Sequence, residues 1–165
     1  MNIDKLILCA TKDKVSAAKE AYRAIKAELL LNSSSKSPKP EGKVVSTITF
    51  TREGEKPFEI EINELDLSII KKQVQIREEQ IAMYDANSRK DLADMYREQN
   101  QVLKALLPPE ISKDKIEEAV VTAYPNGYTQ KEMGKVIKEI KTIYPTADGK
   151  LISEVVKKHI VWKHF

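Results

Sequence analysis

The sequence contains few of the residues that build compact reactive sites. Cys9 is the single cysteine among 165 residues, so the chain can form neither an internal disulfide nor a thiolate-rich zinc site, which suits a reducing, cytoplasmic location. The five glycines stand singly, at positions 42, 54, 127, 134 and 149, so no glycine-rich loop of the kind that binds nucleotide phosphates is present. His159 and His164 lie five residues apart, a spacing that does not place them on one helix face. We therefore predict no metal site and no cofactor.

The sequence also lacks a long apolar run and a strong charge of one sign. The apolar run at residues 6–10 is too short to cross a bilayer or to act as a signal segment, so we expect no membrane partner. The net charge is only +3, which permits a nucleic-acid partner but does not require one. The adjacent carboxylates Glu78 and Glu79 would point about 100° apart on a helix, which favours solvated surface over acid–base chemistry. We predict no catalytic residues.

Helical periodicity dominates what is present. Apolar residues recur at three- and four-residue steps in three stretches before the first proline pair, which predicts long helices over residues 13–31, 63–87 and 88–108. Asn63 with Asp66 opens the second of these helices, and Ser88 with Asp91 predicts a capping box at the start of the third. Asn87 is expected to adopt the left-handed conformation that commonly follows a helix end.

Two segments interrupt this helical pattern. Residues 32–42 contain four serines, two prolines and no apolar anchor, which predicts a flexible linker. Residues 44–62 alternate apolar and polar side chains on both sides of a turn, which predicts a β-hairpin with one apolar face. That face must lie on the helices, because two strands alone are marginally stable in water. The hairpin is either structural decoration or an exposed edge offered to a partner.

The proline pair Pro108–Pro109 cannot continue a helix, so it predicts a boundary between an N-terminal helical domain, residues 1–108, and a C-terminal domain, residues 109–165. Ser112 is expected to cap the first helix of the second domain, with four positions buried: Ile116, Ala119, Val120 and Ala123. Trp162 and Phe165 are expected to add an apolar clasp at the end of the chain.

Two further helices are predicted from the spacing in the second domain. Thr129 with Glu132 forms a capping box before the first, and Asp148 caps the second. The apolar face of the first consists of Met133, Val136, Ile137, Ile140 and Tyr144, and that of the second of Ile152, Val155, Val156 and Ile160. The fold class is therefore mainly α: an N-terminal bundle of long helices with an inserted β-hairpin, followed by a small three-helix C-terminal domain.

Several segments together resemble the GatB/YqeY family. The signature consists of Met133-Gly134-Lys135-Val136, a proline, Ala147-Asp148-Gly149-Lys150 and a helix. Residues 22–27, 77–84, 86–92 and 106–108 also fit the family's pattern, so the resemblance extends over nearly the whole chain apart from residues 32–62. In the family's corner motif an asparagine, Asn87, stands where a glycine is usual.

This resemblance implies a function that composition and spacing do not. Free-standing members are related to the tail domain on the B subunit of tRNA-dependent amidotransferases, where that domain holds tRNA and the catalytic sites lie elsewhere. The resemblance therefore implies tRNA as a partner, or an amidotransferase or another protein. The family is also associated with carbon–nitrogen ligase activity that uses glutamine as amido-nitrogen donor, but the chain shows no catalytic motif for it.

Lysines in the last two helices are the candidate RNA-binding residues. Lys131, Lys135 and Lys138 are spaced for one side of a helix, and Lys150 and Lys157 follow on the next helix. The backbone amides near Gly149 begin that helix and are a second candidate for phosphate contact. Two alternatives to an RNA-binding row stay open: an ordinary solvated face diluted by Glu139 and Glu154, and a protein-interaction module that uses the hairpin edge. The loop before Gly149 is also shorter than in the family that the chain resembles: only Thr146 and Ala147 lie between Pro145 and Asp148.

Overall fold

The computed structural model describes residues 1–160, and in that range it contains seven α-helices and one two-stranded antiparallel hairpin. The mainly α fold predicted from the periodicity is confirmed. The chain divides into two compact units, Met1–Pro108 and a second unit that begins at Pro109. Each unit has its own cluster of buried apolar side chains.

Four helices form most of the first unit: α1 (Ile3–Lys12), α2 (Ser16–Ser33), α3 (Glu64–Ala86) and α4 (Lys90–Leu106). The periodicity did not predict α1, because residues 6–10 were interpreted only as a short apolar run. The three- and four-residue spacing of Ile3, Leu6 and Ala10 buries these side chains on one face of α1. Asn2 caps α1 by accepting a hydrogen bond from the Lys5 amide at 3.2 Å.

Both short turns between consecutive helices contain a residue with a left-handed backbone: Lys14 (φ 56°) after α1 and Ser88 (φ 57°) after α3. In each turn the next amide donates to the carbonyl five residues earlier, at 3.0 Å and 2.8 Å, which is a Schellman motif. The prediction of a left-handed Asn87 is wrong, because its φ is −98°. The capping box of Ser88 with Asp91 is also wrong: Arg89 occupies the N-cap position of α4, and no side chain caps that end. Ser88 lies one residue before the N-cap position, in the left-handed conformation that turns the chain from α3 into α4, so its side chain does not cap α4.

The predicted hairpin is confirmed as β1 (Val44–Phe50) paired with β2 (Phe58–Asn63). Ile48 lies opposite Ile60, and Phe50 lies opposite Phe58 with the ring centroids 5.5 Å apart. Ile60 and Ile62 are buried in the same apolar cluster as side chains of the helices. The apolar face of the hairpin therefore packs on the helical core, as expected from its marginal stability alone.

The linker was predicted over residues 32–42, but Asn32 and Ser33 still belong to α2; residues 34–43 contain neither helix nor strand. The segment is nevertheless held by hydrogen bonds at both ends. The side chain of Asn32 donates to the carbonyl of Lys39 at 3.2 Å and accepts from its amide at 2.9 Å. The carbonyls of Glu41 and Lys43 accept from amides at the start of α3, each at 3.0 Å. Hydrogen bonds therefore fix both ends of the connection between α2 and the hairpin. The composition of the segment did not indicate these contacts.

Polar side chains are buried at the contact of α3 with α4. Arg77 is 6% exposed, and its guanidinium donates to the side chains of Gln99 at 3.0 Å and Gln73 at 2.8 Å. Burial lowers the pKa of Arg77. Asn100 donates to the carbonyl of Val74 at 3.4 Å. These contacts link the two helices with directional hydrogen bonds in addition to apolar packing.

The second unit contains three helices at the predicted places: α5 (Lys113–Ala123), α6 (Met133–Ile143) and α7 (Gly149–Lys158). A 3-10 turn, Gln130–Glu132, comes immediately before α6 and carries the predicted capping box. Ser112 and Asp148 cap α5 and α7 as predicted. Ala123 was predicted to be buried but is exposed, because α5 ends at this residue. Trp162, His164 and Phe165 lie outside the described residues.

Candidate nucleic-acid interface

The apolar faces of α6 and α7 meet in the core of the second unit. Val136 and Ile140 on α6 are fully buried, and so are Ile152 and Val156 on α7. Because a helix side chain has a fixed direction relative to its neighbours, burial of these positions decides where every other side chain of the two helices points. The residues half a turn away from them are left for solvent.

The predicted lysines occupy those outer positions. Lys135 and Lys138 lie on the side of α6 opposite its buried residues, and Lys131 precedes them in the 3-10 turn. Lys150 and Lys157 are seven residues apart and share the outer side of α7. All five side chains are exposed. The structure therefore brings the five lysines to the outer surfaces of two helices that contact each other. We refer to these five residues as the lysine face.

Most of the lysine face has no acidic partner. Among residues 1–160, only Lys135 of the five pairs with a carboxylate, that of Glu139 at 3.9 Å. The remaining four ammonium groups form no ion pair within that part of the chain. Each unpaired ammonium group creates a positive potential at the surface around it, which water and salt screen only partly at short range.

Two glutamates that were expected to dilute the lysines are directed toward α5. Glu139 accepts a hydrogen bond from the hydroxyl of Tyr124, at the end of α5, at 2.5 Å. This hydrogen bond, with burial and the negative charge of Glu139, raises the pKa of Tyr124 to about 12. Glu154 forms an ion pair with Lys113 of α5 at 3.7 Å. Glu154 is therefore engaged by Lys113, whereas Glu139 contacts both the Tyr124 hydroxyl and Lys135 of the lysine face.

The start of α7 differs from the phosphate site that the sequence suggested. The Asp148 carboxylate accepts a hydrogen bond from the Lys150 amide at 3.0 Å. This amide is among the first of α7, and a carboxylate on it repels a second anion. Gly149 thus lies beside the candidate lysines, but the helix end next to it already has an anionic cap.

One further lysine, Lys141, was missed in the sequence. A side-chain carbon built on Gly149 would lie 3.4 Å from both Cε and Nζ of Lys141. The ammonium group of Lys141 therefore reaches from α6 to the start of α7. Its position three residues after Lys138 was a signal that could have found it, since residues three apart are neighbours on a helix surface.

Two other kinds of site are absent from the described part of the chain. No group of three or more His, Cys, Asp or Glu side chains in residues 1–160 could hold a metal ion. No helix in the same range has the length and apolar character needed to cross a membrane.

Comparison with known proteins identifies the family. The family described as Yqey-like protein matches residues 44–160, which include the hairpin and the whole of α3 to α7. The resemblance based on motifs had left the hairpin out, whereas the matched range includes it; residues 22–27 lie outside the matched range. No match was found among curated proteins. The matched range covers most of the chain, and the protein therefore belongs to the YqeY-like family.

Proposed function

We propose that the protein binds RNA of the tRNA class through the lysine face and acts as a cytoplasmic accessory protein related to glutamine-dependent tRNA amidotransferases, without a catalytic centre of its own. The observation that carries this proposal is that four of the five lysines have no carboxylate partner in the described residues. Glu154 pairs with Lys113 of α5, and Glu139 pairs with Lys135 and also accepts a hydrogen bond from Tyr124. Exposed ammonium groups spaced along a helix can contact successive phosphate groups of a nucleic-acid backbone.

The number of contacts limits the strength of this binding. Three to five lysine–phosphate contacts give non-specific affinity, with dissociation constants of about 10⁻⁴ to 10⁻⁶ M at physiological salt. A domain tethered to an amidotransferase gains from an effective concentration of about 1 mM. A free-standing protein needs a partner that supplies this tethering, and we include such a partner in the proposal.

A titration with bulk tRNA at several salt concentrations tests the proposal. We expect the logarithm of the association constant to fall with the logarithm of salt concentration with a slope of about −2 to −4. Charge reversal of Lys131, Lys135 and Lys138 to Glu should abolish binding, because it replaces phosphate contacts by repulsion. A matched control is charge reversal of three exposed lysines of the first unit, Lys36, Lys39 and Lys71, which should leave binding intact. Binding that persists unchanged in the α6 variant contradicts the proposal.

A protein-interaction module is the second candidate function. The sheet has only two strands, so neither outer edge is paired with another strand in the described residues, and Val44 on β1 is 53% exposed. An extended segment of a partner protein can add to such an edge. If the hairpin edge binds a partner protein, the affinity for that partner should change little with salt concentration. The same salt series therefore distinguishes this function from RNA binding. An independent carbon–nitrogen ligase would instead show turnover of ATP and glutamine by the purified protein.

A further inference from the structure

We infer that Lys141 is a phosphate-binding residue that joins the lysines of α6 and α7 into one surface, so that a single stretch of RNA backbone contacts both helices. This inference rests on the proposed function and adds to it a residue and a mode of binding. Lys141 is exposed, and it has no carboxylate partner among residues 1–160.

The position of Lys141 provides the first argument. Its Nζ lies near Gly149, whose neighbour Lys150 is the first lysine of α7. Lys138 lies one helical turn before Lys141 on α6. The ammonium group of Lys141 therefore lies at the first turn of α7, the turn that carries Lys150. Without Lys141, the α6 and α7 lysines would be two separate rows.

The glycines beside these lysines provide the second argument. Gly134 and Gly149 have no left-handed φ, so the backbone does not require glycine at either position. A side-chain carbon on Gly134 would meet nothing within 4 Å, and one on Gly149 would meet only the flexible end of Lys141. Glycine inside a helix is less favourable than alanine; Gly134 lies inside the continuous 3-10 and α-helical segment, and Gly149 is the first residue of α7. Packing within the described residues does not account for that cost.

Close approach of a ligand does account for it. Gly134 lies four and seven residues before Lys138 and Lys141, so the three positions share one side of α6. A sugar–phosphate backbone resting on Gly134 comes near enough for both ammonium groups to reach its phosphates. At Gly149 the missing side chain leaves room for Lys141 to lie across the start of α7. RNA, a narrow chain with regularly spaced charges, fits this surface.

The first experiment is the bulk tRNA titration with two charge variants of the full chain. Lys141→Gln should make the salt slope shallower by about one unit and weaken binding about fivefold near 0.1 M salt. The matched control is Lys158→Gln, which removes the same charge from the other side of α7. Lys158 comes directly after Lys157, so its side chain points about 100° away from that lysine around α7. Lys141→Arg should retain binding.

The second experiment leaves the charge unchanged. Gly134→Gln should weaken tRNA binding about tenfold while thermal unfolding stays at or above the wild-type temperature, because the added side chain meets nothing in the protein. Ala123→Gln, which adds a side chain at the exposed end of α5, should bind like wild type.

The outcomes separate this inference from the proposed function. Wild-type binding with the expected salt slope, together with equal effects of Lys141→Gln and Lys158→Gln, overturns the inference alone. Normal binding by Gly134→Gln also overturns it, since RNA then does not approach α6 closely. Failure of the wild-type protein to bind tRNA overturns both. Polyglutamate that competes as strongly as tRNA at equal charge shows that the surface accepts any polyanion, and it overturns the assignment to RNA.

Discussion

Single residues with unusual backbone angles allow the helices of the first unit to follow one another closely. Lys14 and Ser88 each adopt a left-handed φ, although neither is glycine. A residue with a side chain pays about 1–2 kcal/mol for this conformation. The Schellman hydrogen bonds around each residue offset part of that cost, because they satisfy carbonyls at the helix end.

This cost yields a prediction at the corner between α3 and α4. Ser88→Gly should raise the free energy of unfolding by about 0.5–1 kcal/mol, because glycine adopts a φ of 57° without the clash of a side-chain carbon. Asn87→Gly should lower it by about 1 kcal/mol, because it loosens the helix end and removes the bond from the Asn87 side-chain amide to the Met83 carbonyl at 2.8 Å. Urea denaturation followed by circular dichroism measures both. If Asn87→Gly were the more stable of the two variants, the left-handed residue would be Asn87, and the prediction would be contradicted.

At the scale of elements, an ion cluster joins the end of α1 to the turn of the hairpin. The Arg52 guanidinium donates to Asp13 at 2.6 Å and 3.2 Å and to Glu55 at 2.6 Å. Hydrogen bonds from Arg52 lower the pKa of Asp13 and of Glu55. All these groups are on the surface, so the cluster affects the pH dependence of stability more clearly than its absolute value.

The pH dependence has a definite sign. Both carboxyls have a lower pKa in the folded chain than in the unfolded chain, so their stabilisation is fully present above the ordinary values of 3.8 and 4.5. It is lost as pH falls below those values toward the folded pKa. Arg52→Gln should therefore make the decrease of stability between about pH 5 and pH 2 shallower. Denaturation midpoints across this range measure the effect. Arg23→Gln, which removes only a pair with Glu20 inside α2, serves as control, and an equal change there would contradict the role of Arg52.

At the scale of the whole molecule, each unit has its own apolar core. The second unit is small, and a domain of this size buries only about 60% of its unfolded surface. Its stability therefore depends on a few side chains that are completely removed from water. Ile116, Val136, Ile140, Ile152 and Val156 are each 0% exposed.

Truncation of one of these side chains should unfold the second unit. Ile140→Ala should cost about 2–5 kcal/mol, an amount comparable with the whole stability expected of so small a unit. Amide hydrogen exchange in α5, α6 and α7 should accelerate together. Ile143→Ala should change the exchange rates little, because Ile143 is 53% exposed on the same helix. Slow exchange throughout α6 in the Ile140 variant would contradict this view of the core.

Local patterns in the sequence determined the elements of this protein and much of its surface. The three- and four-residue spacing of Val136 and Ile140 predicted an amphipathic α6, and the alternation around Ile60 predicted the hairpin, because each pattern depends only on the geometry of one element. The same geometry placed Lys131, Lys135 and Lys138 on one side of the chain. Helix α1 was missed because its apolar residues form a continuous run at 6–10 in a segment only three turns long, which hides the helical period.

Contacts between distant residues were decided only by the tertiary structure. The position of Lys141 next to Gly149, and the direction of Glu139 and Glu154 toward α5, depend on how helices pack, and no spacing along one helix contains that information. The burial of Arg77 among amide side chains also depends on how α3 and α4 pack, so the sequence pattern did not predict it. The left-handed residue of a turn also depends on where both adjoining helices stop, so it fell on Ser88 although Asn87 has the better intrinsic preference.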